Sequence, residues 1–476
     1  METNKGIVLT NDQQRVFNIL LNFIDSKAQK VFILCGYAGT GKTTMMSYLI
    51  NELRKRNKAF SLHASTGRAA KILSNATGVN ATTVHSLLYK FSDFNHDLEE
   101  FDKNLKAEKD RQLLLQFFVS SVDRSNDEDT MFYIIDEASM ISDMEDRNPT
   151  QAVFGSGKLL SDLLNYDSKG KFIFVGDVAQ LPPVKATFSP ALSVDYIKSN
   201  YNIDAVYAEL TQIMRQSSDN DLVKSSNKVR LLYANPPDVK WGKFPLRNYF
   251  HIKIRSSQVD LLNAYIEDVK KNGYNDTTMI ARSNSLCHLF TKTIRPALGL
   301  TSSVLCEGDL LMVTQNNLVS GLMNGDMVKV VQLGGRIKQA GLTFRMIEVE
   351  ELFTGQRHSQ LIIEDIVYGQ RTNLPQNQQQ QLFLDFYYRM KDKGIKQSSR
   401  QFRDNMFTDQ YLNALRAVYG YVLTCHKAQG GEWKHVYLDI PRNTAFNPDA
   451  TTYQWLYTAM TRASDVLYVA DDFYLV

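Results

Sequence analysis

The sequence contains little cysteine, and its cysteines follow no metal-binding or disulfide pattern. The four residues (Cys35, Cys287, Cys306 and Cys425) form no C-x-x-C pair and no cluster with histidine. Disulfide frameworks and structural zinc sites need such spacings, so both are disfavoured. This usage is typical of a reducing compartment, and we expect a cytoplasmic location.

Long apolar segments and an excess of one charge are also missing. No run of about 18 apolar residues occurs, and residues 1–10 lack the apolar core of a secretory signal. We therefore expect neither a membrane span nor a membrane partner. The 54 Lys and Arg residues are nearly balanced by 51 Asp and Glu residues, for a net charge of +3. This balance gives no support to a polybasic nucleic-acid binder, but it does not exclude a local basic groove.

The length of 476 residues predicts two to four domains. Short apolar runs followed by turns and helical patterns predict an α/β fold with a parallel sheet, and they lie at residues 31–35, 59–63, 131–135 and 171–175. A charge-rich stretch at residues 91–130 interrupts this alternation, which indicates an inserted element. After residue 300, short β-rich segments predict a small all-β module, followed by a helix that includes a glutamine run.

A glycine-rich segment follows the first apolar run. Residues 36–43 have the sequence G-Y-A-G-T-G-K-T, which matches G-x-x-x-x-G-K-[ST] between a predicted strand and a predicted helix. In this setting, backbone N–H groups and the helix N-terminus bind phosphates. Lys42 would neutralise the β- and γ-phosphates, and the Thr43 hydroxyl would ligate magnesium. The alternative is an ordinary glycine turn that caps a helix.

Two acidic residues, Asp136 and Glu137, close the apolar run at 131–135. A carboxylate at this place can hold magnesium, and its neighbour can accept the proton of an attacking water. Acidic strand ends are otherwise usually solvated. Downstream of a phosphate loop, the pair favours a role in hydrolysis.

Three further residues are candidates for the same site. Gln180 lies in the turn 176–183, where an amide can contact the γ-phosphate and the attacking water; a plain rigid turn is the alternative. Arg215 and Arg462 lie far from the phosphate loop in sequence. Arginines from a second domain can stabilise the transition state, whereas surface arginines are normally just solvated. Spacing alone does not separate these two interpretations.

The ordered set of segments resembles the superfamily 1B DNA helicases of the RecD/Dda branch and their Pif-type relatives. The matching segments extend from residue 9 to residue 463, and their order makes the likeness specific. Besides the phosphate loop they are L-T-N-D-Q (9–13), A-S-T-G-R-A-A (64–70), T-V-H-S-L (83–87), I-D-E-A-S (135–139), residues 176–184, L-T-Q-I-M-R-Q (210–216), T-C-H-K-A-Q-G (424–430) and Y-T-A-M-T-R-A (457–463).

The resemblance implies two RecA-like lobes with ATP and Mg²⁺ between them. Gln13 would read the adenine edge, and Glu432 would contact the nucleotide. The implied nucleotide-binding residues are Gln13, Gly39, Thr40, Gly41, Lys42, Thr43, Thr44 and Glu432. The implied catalytic residues are Lys42, Asp136, Glu137, Gln180, Arg215 and Arg462, with Thr43 and Asp136 as metal ligands.

The same resemblance implies a set of residues that track single-stranded DNA. They are Ser65, Thr66 and His85 on the first lobe and Thr424 and His426 on the second. Short hydroxyl and imidazole groups can bind phosphate oxygens without reading bases. The structural alternatives are a helix N-cap for Thr66 and a buried, satisfied imidazole for His85. Gly431 departs from the family pattern, in which many members carry a small hydroxyl residue there.

The implied domain boundaries follow from the order of the segments. The first lobe covers residues 1–198 with a strand-separating pin at about 86–128, the second lobe covers residues 199–303 and 416–476, and residues 304–415 form an SH3-like β module with a helical extension whose role is open. In the pin, Phe94 would stack on a terminal base pair. The alternative is that the aromatic residues of the insertion pack it onto its own lobe.

The implied activity is that of an ATP-dependent DNA helicase that translocates 5′ to 3′ along single strands and unwinds duplex DNA. The expected partners of this monomeric motor are single-stranded DNA, forked or tailed duplexes, and proteins of replication or repair. Two alternatives stay open: a DNA-stimulated ATPase that remodels protein–DNA complexes without unwinding, and a P-loop ATPase that acts independently of nucleic acid.

Overall fold

The computed structural model describes residues 9–104, 113–120, 130–145, 152–212, 221–369 and 371–476. Within these ranges, no helix is long and apolar enough to cross a membrane. The first half of the chain forms α1 (Asn11–Asp25), β1 (Val31–Gly36), α2 (Lys42–Lys55), β2 (Phe60–Ala64), α3 (Gly67–Thr77), β3 (Ala81–Thr83), α4 (Val84–Leu88), β4 (Tyr89–Phe94), α5 (Leu98–Asn104), β5 (Leu115–Val119), β6 (Phe132–Asp136), β7 (Ala152–Phe154), α6 (Leu159–Tyr166), β8 (Lys171–Gly176), α7 (Val194–Tyr201) and β9 (Ala205–Leu210).

The first lobe is built on a six-stranded parallel sheet with the strand order β3–β2–β6–β8–β1–β9. Alternate residues of β1 contribute to two separate hydrophobic clusters, so both faces of the sheet are covered. This is why β1 and β8 are continuous apolar runs rather than alternating ones. Because β9 pairs with β1, the first sheet ends at Leu210, beyond the boundary expected at residue 198.

A three-stranded sheet is inserted into the first lobe. Strand β4 pairs antiparallel with β5, and β5 pairs parallel with β7. The insertion expected at residues 86–128 therefore contains β4, α5 and β5, while β7 joins it from outside that range.

The second half of the chain follows with a larger set of elements. They are α8 (Asp221–Ala234), β10 (Ile252–Arg255), α9 (Gln258–Asp276), β11 (Thr277–Ala281), α10 (Asn284–Ala297), β12 (Leu310–Val313), β13 (Met327–Gln339), β14 (Leu342–Glu351), β15 (Arg357–Ile363), α11 (Glu364–Tyr368), α12 (Gln376–Asp392), α13 (Arg400–Thr408), β16 (Ala417–Tyr419), β17 (Val422–Thr424), α14 (Cys425–Ala428), β18 (Trp433–Leu438), α15 (Ala450–Met460) and β19 (Ala463–Ala470).

The second lobe is built on a five-stranded parallel sheet with the order β10–β19–β18–β11–β17. Its strands precede and follow the β-rich module in sequence, as expected for a lobe that carries an insertion. Two parallel sheets with associated helices confirm the predicted α/β class and its RecA-like lobes.

The module inserted in the second lobe is an antiparallel sheet with the order β15–β14–β13–β12–β16. Strand β16 lies past the expected boundary at residue 415 and returns the chain to the second lobe. The helix predicted over the glutamine run is confirmed as α12. The SH3-like topology of the module stays a prediction.

The helical extension packs against the first-lobe insertion. Phe94 is 8% exposed, and its ring centroid lies 5.3 Å from that of Phe383 in α12. Phe91 contacts Phe407 of α13 with a centroid distance of 5.5 Å. The structure contradicts the prediction that Phe94 stacks on a base, because its ring is buried between the insertion and α12. Phe91 and Phe94 thus pack the insertion onto the helical extension, whereas Phe117 stacks on Phe154 of its own lobe with a centroid distance of 4.7 Å.

Candidate nucleotide site and nucleic-acid surface

The phosphate loop connects β1 to α2 in a conformation that needs glycine. Gly39 and Gly41 have φ angles of 81° and 88°, in the left-handed region that side chains avoid. The positive end of the α2 dipole lies at the same place, which favours an anion. Lys42 Nζ donates to Gly36 O at 2.6 Å and to Tyr37 O at 3.2 Å, so its ammonium group lies directly over the loop.

Gln13 supports the phosphate loop from α1. It forms a capping box with Thr10, and its Nε2 donates to Thr40 O at 3.4 Å. A Cβ at Gly41 would lie 2.5 Å from this Nε2, so the loop and Gln13 fit together closely. Gln13 is 3% exposed and Thr40 is fully buried. As placed, both residues stabilise the loop; their predicted nucleotide contacts stay predictions.

A cavity of about 470 Å³ opens between the two lobes at the phosphate loop. It brings together the predicted residues Gly39, Gly41, Lys42, Thr43, Thr44, Asp136, Glu137, Gln180, Glu432 and Arg462. Because these residues are distributed over more than 400 positions of the sequence, their convergence is a result of the tertiary fold. Arg215 lies outside the described residues.

Two carboxylates lie side by side at the end of β6. The Glu137 N–H donates to Asp136 Oδ1 at 2.9 Å, and Glu137 has a left-handed φ of 51°. Burial raises the pKa of Asp136, and the neighbouring Glu137 raises it further, while Lys42 opposes both. A divalent cation would relieve this repulsion. The described residues hold no group of three or more metal-ligating side chains, but Mg²⁺ needs only one or two protein ligands when phosphates and water complete its shell. The donors therefore fit magnesium.

The loop that carries Gln180 is held by the second lobe. The Leu181 N–H donates to Thr458 Oγ1 at 2.9 Å, and Gln454 Nε2 donates to Gln180 O at 3.3 Å. Gln429 Nε2 donates to Leu181 O at 3.1 Å. Three second-lobe side chains thus bond one short first-lobe loop, so movement of the lobes displaces Gln180.

Sequence reasoning missed Tyr457 and Asp177. The Tyr457 hydroxyl donates to Asp177 Oδ2 at 2.8 Å and accepts from the Ala38 N–H at 3.2 Å. A second-lobe side chain therefore bridges the phosphate loop and the corner after β8. Burial raises the pKa of Asp177, which is 1% exposed. Both residues lie in segments that carry the resemblance, but neither matches a motif position with an obvious chemical role.

Arg462 is buried, and its guanidinium is bonded within its own lobe. Nε donates to Thr458 O at 3.1 Å, Nη1 to Gly431 O at 3.2 Å and Nη2 to Thr461 Oγ1 at 3.2 Å. Another second-lobe arginine, Arg230 of α8, was also missed; its Cζ lies 3.8 Å from the ring centroid of Tyr37 in the phosphate loop. The second lobe therefore places two guanidinium groups, those of Arg230 and Arg462, near the phosphate loop of the first lobe.

The predicted DNA contacts lie at the carboxyl ends of parallel strands. Ser65 and Thr66 follow β2, Thr424 is the last residue of β17, and His426 lies in α14 directly after that strand. Thr66 Oγ1 accepts from the Ala69 N–H at 3.2 Å, which confirms the N-cap role without excluding a second acceptor role. A Cβ at Gly430 would lie 3.4 Å from this oxygen, so the first-lobe and second-lobe segments meet.

The remaining DNA candidate on the first lobe, His85, lies next to a second cleft. His85 is exposed, and its ring lies 5.6 Å from the rings of both Tyr89 and Phe154. These two aromatic residues line a cleft of about 530 Å³ between the first-lobe insertion and the β module. The cleft combines aromatic and polar side chains, and its lining includes Phe91, Phe117, Asn316, Asn317 and Arg416. Sequence reasoning missed this cleft because its walls come from different insertions.

Two family models match the chain. A AAA domain covers residues 8–231, and a UvrD-like helicase C-terminal domain covers residues 419–470. The two matched regions contain the phosphate loop and the segment with Gly430 and Arg462, which line the same cavity. The chain is therefore similar to AAA domains over residues 8–231 and to UvrD-like helicases over residues 419–470, in agreement with the resemblance drawn from the sequence motifs.

Similar proteins carry more specific names. The ATP-dependent DNA helicase Dda of Enterobacteria phage T4 is 42% identical over 81 residues, which cover 17% of this chain and 18% of that protein. The ATP-dependent RecD2 DNA helicase of Deinococcus radiodurans is 28% identical over 215 residues, or 45% of this chain and 23% of that protein. A solved structure described as two coordinating Pif1 helicases at forked double-stranded DNA is 17% identical, with a TM-score of 0.49 over 99% of this chain and 94% of that one. The alignments thus span less than a quarter of the two named curated relatives.

Proposed function

We propose that the chain couples ATP hydrolysis between its lobes to 5′-to-3′ movement along single-stranded DNA and thereby unwinds duplexes. The observation that carries the proposal is the cavity at the phosphate loop, whose walls come from both lobes. A nucleotide bound there interacts with both lobes, so its binding and hydrolysis favour different lobe arrangements.

The first-lobe residues perform hydrolysis in this proposal. Lys42 and the loop N–H groups bind the phosphates, and Glu137 accepts the proton of the attacking water. Gln180 orients that water. Thr43 and Asp136 would hold Mg²⁺, which neutralises the charge that develops on the phosphate oxygens.

The second lobe supplies the remaining positive charge. Arg462 lines the cavity, and it reaches the phosphates by exchanging its hydrogen bonds to Thr458, Gly431 and Thr461 for bonds to the nucleotide. An arginine supplied in this way increases the rate of phosphoryl transfer by about 10³-fold or more. Arg215 has the same role on the basis of its sequence motif alone.

Coupling to DNA follows from the loop after β8. This loop carries Gln180 on the nucleotide side and is bonded by Gln429, three residues after the DNA candidate His426. A change at the γ-phosphate therefore displaces a second-lobe segment that contacts DNA. When the DNA-contacting residues of the first lobe and those of the second lobe bind the strand in turn, this displacement moves the protein along the DNA in steps. The 5′-to-3′ polarity rests on the family resemblance.

DNA binding by hydroxyl, imidazole and aromatic groups suits a motor of near-neutral charge. Thr66 and His426 bind phosphate oxygens, whereas the cleft beside His85 offers aromatic faces on which bases stack. Because few of these contacts are charged, the affinity for DNA depends weakly on salt concentration, and the protein releases DNA readily at each step.

The deciding experiment uses duplexes with either a 5′ or a 3′ single-stranded tail, with ATP and Mg²⁺. We expect strand separation on the 5′-tailed duplex only, and none with Lys42→Ala. We also expect His426→Ala to reduce stimulation of the ATPase by single-stranded DNA while the basal rate persists. Rapid ATP turnover without a strand product would instead support a remodelling ATPase, and an ATPase rate unaffected by DNA would exclude both.

A further inference from the structure

Arg68 and Trp433 form a stacked pair between the two lobes. Arg68 lies in the first turn of α3, and Trp433 opens β18; the Arg68 Cζ is 4.3 Å from the centre of the indole ring. Arg68 Nη1 is buried and has no hydrogen-bond partner in the described part of the chain. Stacking on the indole is therefore the contact that orients this guanidinium. Burial is the main cause that lowers the pKa of Arg68 to about 10; the carboxylate of Asp326 opposes this shift, and the positive charge of Arg462 adds to it.

The pair occupies the space beside Gly431. A Cβ at this position would lie 2.8 Å from Arg68 Cζ and 2.6 Å from the Trp433 ring. The small hydroxyl residue that many family members carry here would therefore displace the stack. Glycine at position 431 allows the arginine of the first lobe to reach the tryptophan of the second.

The same segment holds Arg462. The Trp433 N–H donates to Arg462 O at 2.9 Å, and Arg462 Nη1 donates to Gly431 O at 3.2 Å. Both the backbone and the guanidinium of Arg462 are thus bonded to residues that Arg68 contacts. A shift of α3 relative to Trp433 moves the main chain that positions Arg462.

We propose that Arg68 is a positioning residue for Arg462 and acts through Trp433 and Gly431. The proposal rests on the role assigned above to Arg462 in hydrolysis. Arg68 is not among the described residues that line the nucleotide cavity. It sets the place of the second-lobe guanidinium relative to the first-lobe phosphate loop.

The first test measures kcat and KM for ATP at saturating single-stranded DNA for Arg68→Gln. Because a misplacement of about 1 Å costs up to about a hundredfold in rate, we expect kcat to fall by about tenfold or more while KM stays within about threefold. Arg54→Gln is the matched control, since Arg54 stacks on Phe60 within the first lobe at 5.9 Å. It should leave both constants within about twofold of the parent values.

The aromatic partner provides a second pair of variants. Trp433→Phe keeps a ring face for the guanidinium and should retain most of the rate. Trp433→Leu should reproduce the low kcat of Arg68→Gln. If Arg68→Gln does not fold, as judged by thermal unfolding beside Arg54→Gln, this pair decides alone: equal kcat for Trp433→Phe and Trp433→Leu overturns the proposal.

A double-mutant cycle with Arg462→Lys separates this proposal from the one on which it rests. We expect Arg462→Lys to be slow and the double variant with Arg68→Gln to be no slower. If Arg462→Lys retains the parent rate, the role of Arg462 fails and the positioning role fails with it. If Arg462→Lys is slow, three results would overturn the positioning role alone. The first is a kcat for Arg68→Gln equal to that of Arg54→Gln, and the second is a change in KM without a change in kcat. The third is a double variant whose loss of rate equals the product of the two single losses.

Discussion

The bridge formed by Tyr457 predicts that one hydroxyl group couples the two lobes at the nucleotide site. In Tyr457→Phe the ring stays and only the hydroxyl is lost. That hydroxyl donates to Asp177 Oδ2 at 2.8 Å and accepts from the Ala38 N–H at 3.2 Å. Both partners lie next to residues proposed to act in hydrolysis, so the substitution changes the link between the lobes without removing a residue proposed to contact the phosphates.

The magnitude follows from the two hydrogen bonds. The hydrogen bond to the Asp177 carboxylate contributes about 2 kcal/mol, and the neutral one from the Ala38 N–H contributes about 1 kcal/mol. Without the hydroxyl, the lobe arrangement seen in the structure is therefore destabilised by about 3 kcal/mol. Since 1.4 kcal/mol is about a factor of 10, kcat/KM for ATP should fall by up to roughly a hundredfold. The assay is steady-state ATP hydrolysis at saturating single-stranded DNA.

Tyr453→Phe provides a matched control on the same helix, α15. Tyr453 is fully buried, and its hydroxyl has no hydrogen-bond partner among the residues described. Its loss should leave kcat/KM unchanged within about twofold, because no bond is broken. Equal values for Tyr457→Phe and Tyr453→Phe would refute the coupling role of the bridge.

Three further predictions concern single sites. Lys42→Ala should abolish ATP hydrolysis while the circular dichroism spectrum stays that of the parent; residual turnover above about a hundredth of the parent rate would contradict the phosphate-binding role. Phe94→Ala should lower the free energy of unfolding in urea by about 3 kcal/mol, because the ring is packed on Phe383, and Phe94→Leu should lower it by much less. If Phe94→Ala keeps the parent stability but unwinds duplex DNA poorly, the base-stacking role is supported instead. Because burial and Glu137 raise the pKa of Asp136, the native protein binds a proton there that the unfolded chain releases above about pH 4, so stability falls as pH rises. Asp136→Asn should therefore have the higher urea midpoint at pH 8 without nucleotide or Mg²⁺, a smaller advantage at pH 5 and none below about pH 4, and equal midpoints at pH 8 would exclude a raised pKa.

Much of the fold was predictable because its signals are local. Continuous apolar runs at β1, β6 and β8 indicate strands buried on both faces, and a glycine-rich turn followed by Lys42 indicates a phosphate loop. The boundary at residue 198 was placed too early because β9, which alternates in burial, lacks such a run and joins the sheet only by pairing with β1. Phe94 was misassigned because a surface aromatic and one covered by a distant helix look alike in sequence.

The sequence by itself predicted the α/β class and the proposed first-lobe chemistry, because the phosphate loop and the Asp136–Glu137 pair are short segments that are recognised by their spacing. Only the tertiary structure decided which residues of the second lobe reach that site. Tyr457, Arg230 and Arg68 have no local pattern that distinguishes them from solvated or core side chains. Their roles depend on how two sheets separated by an inserted module face each other, and this arrangement results from packing between residues far apart in the chain.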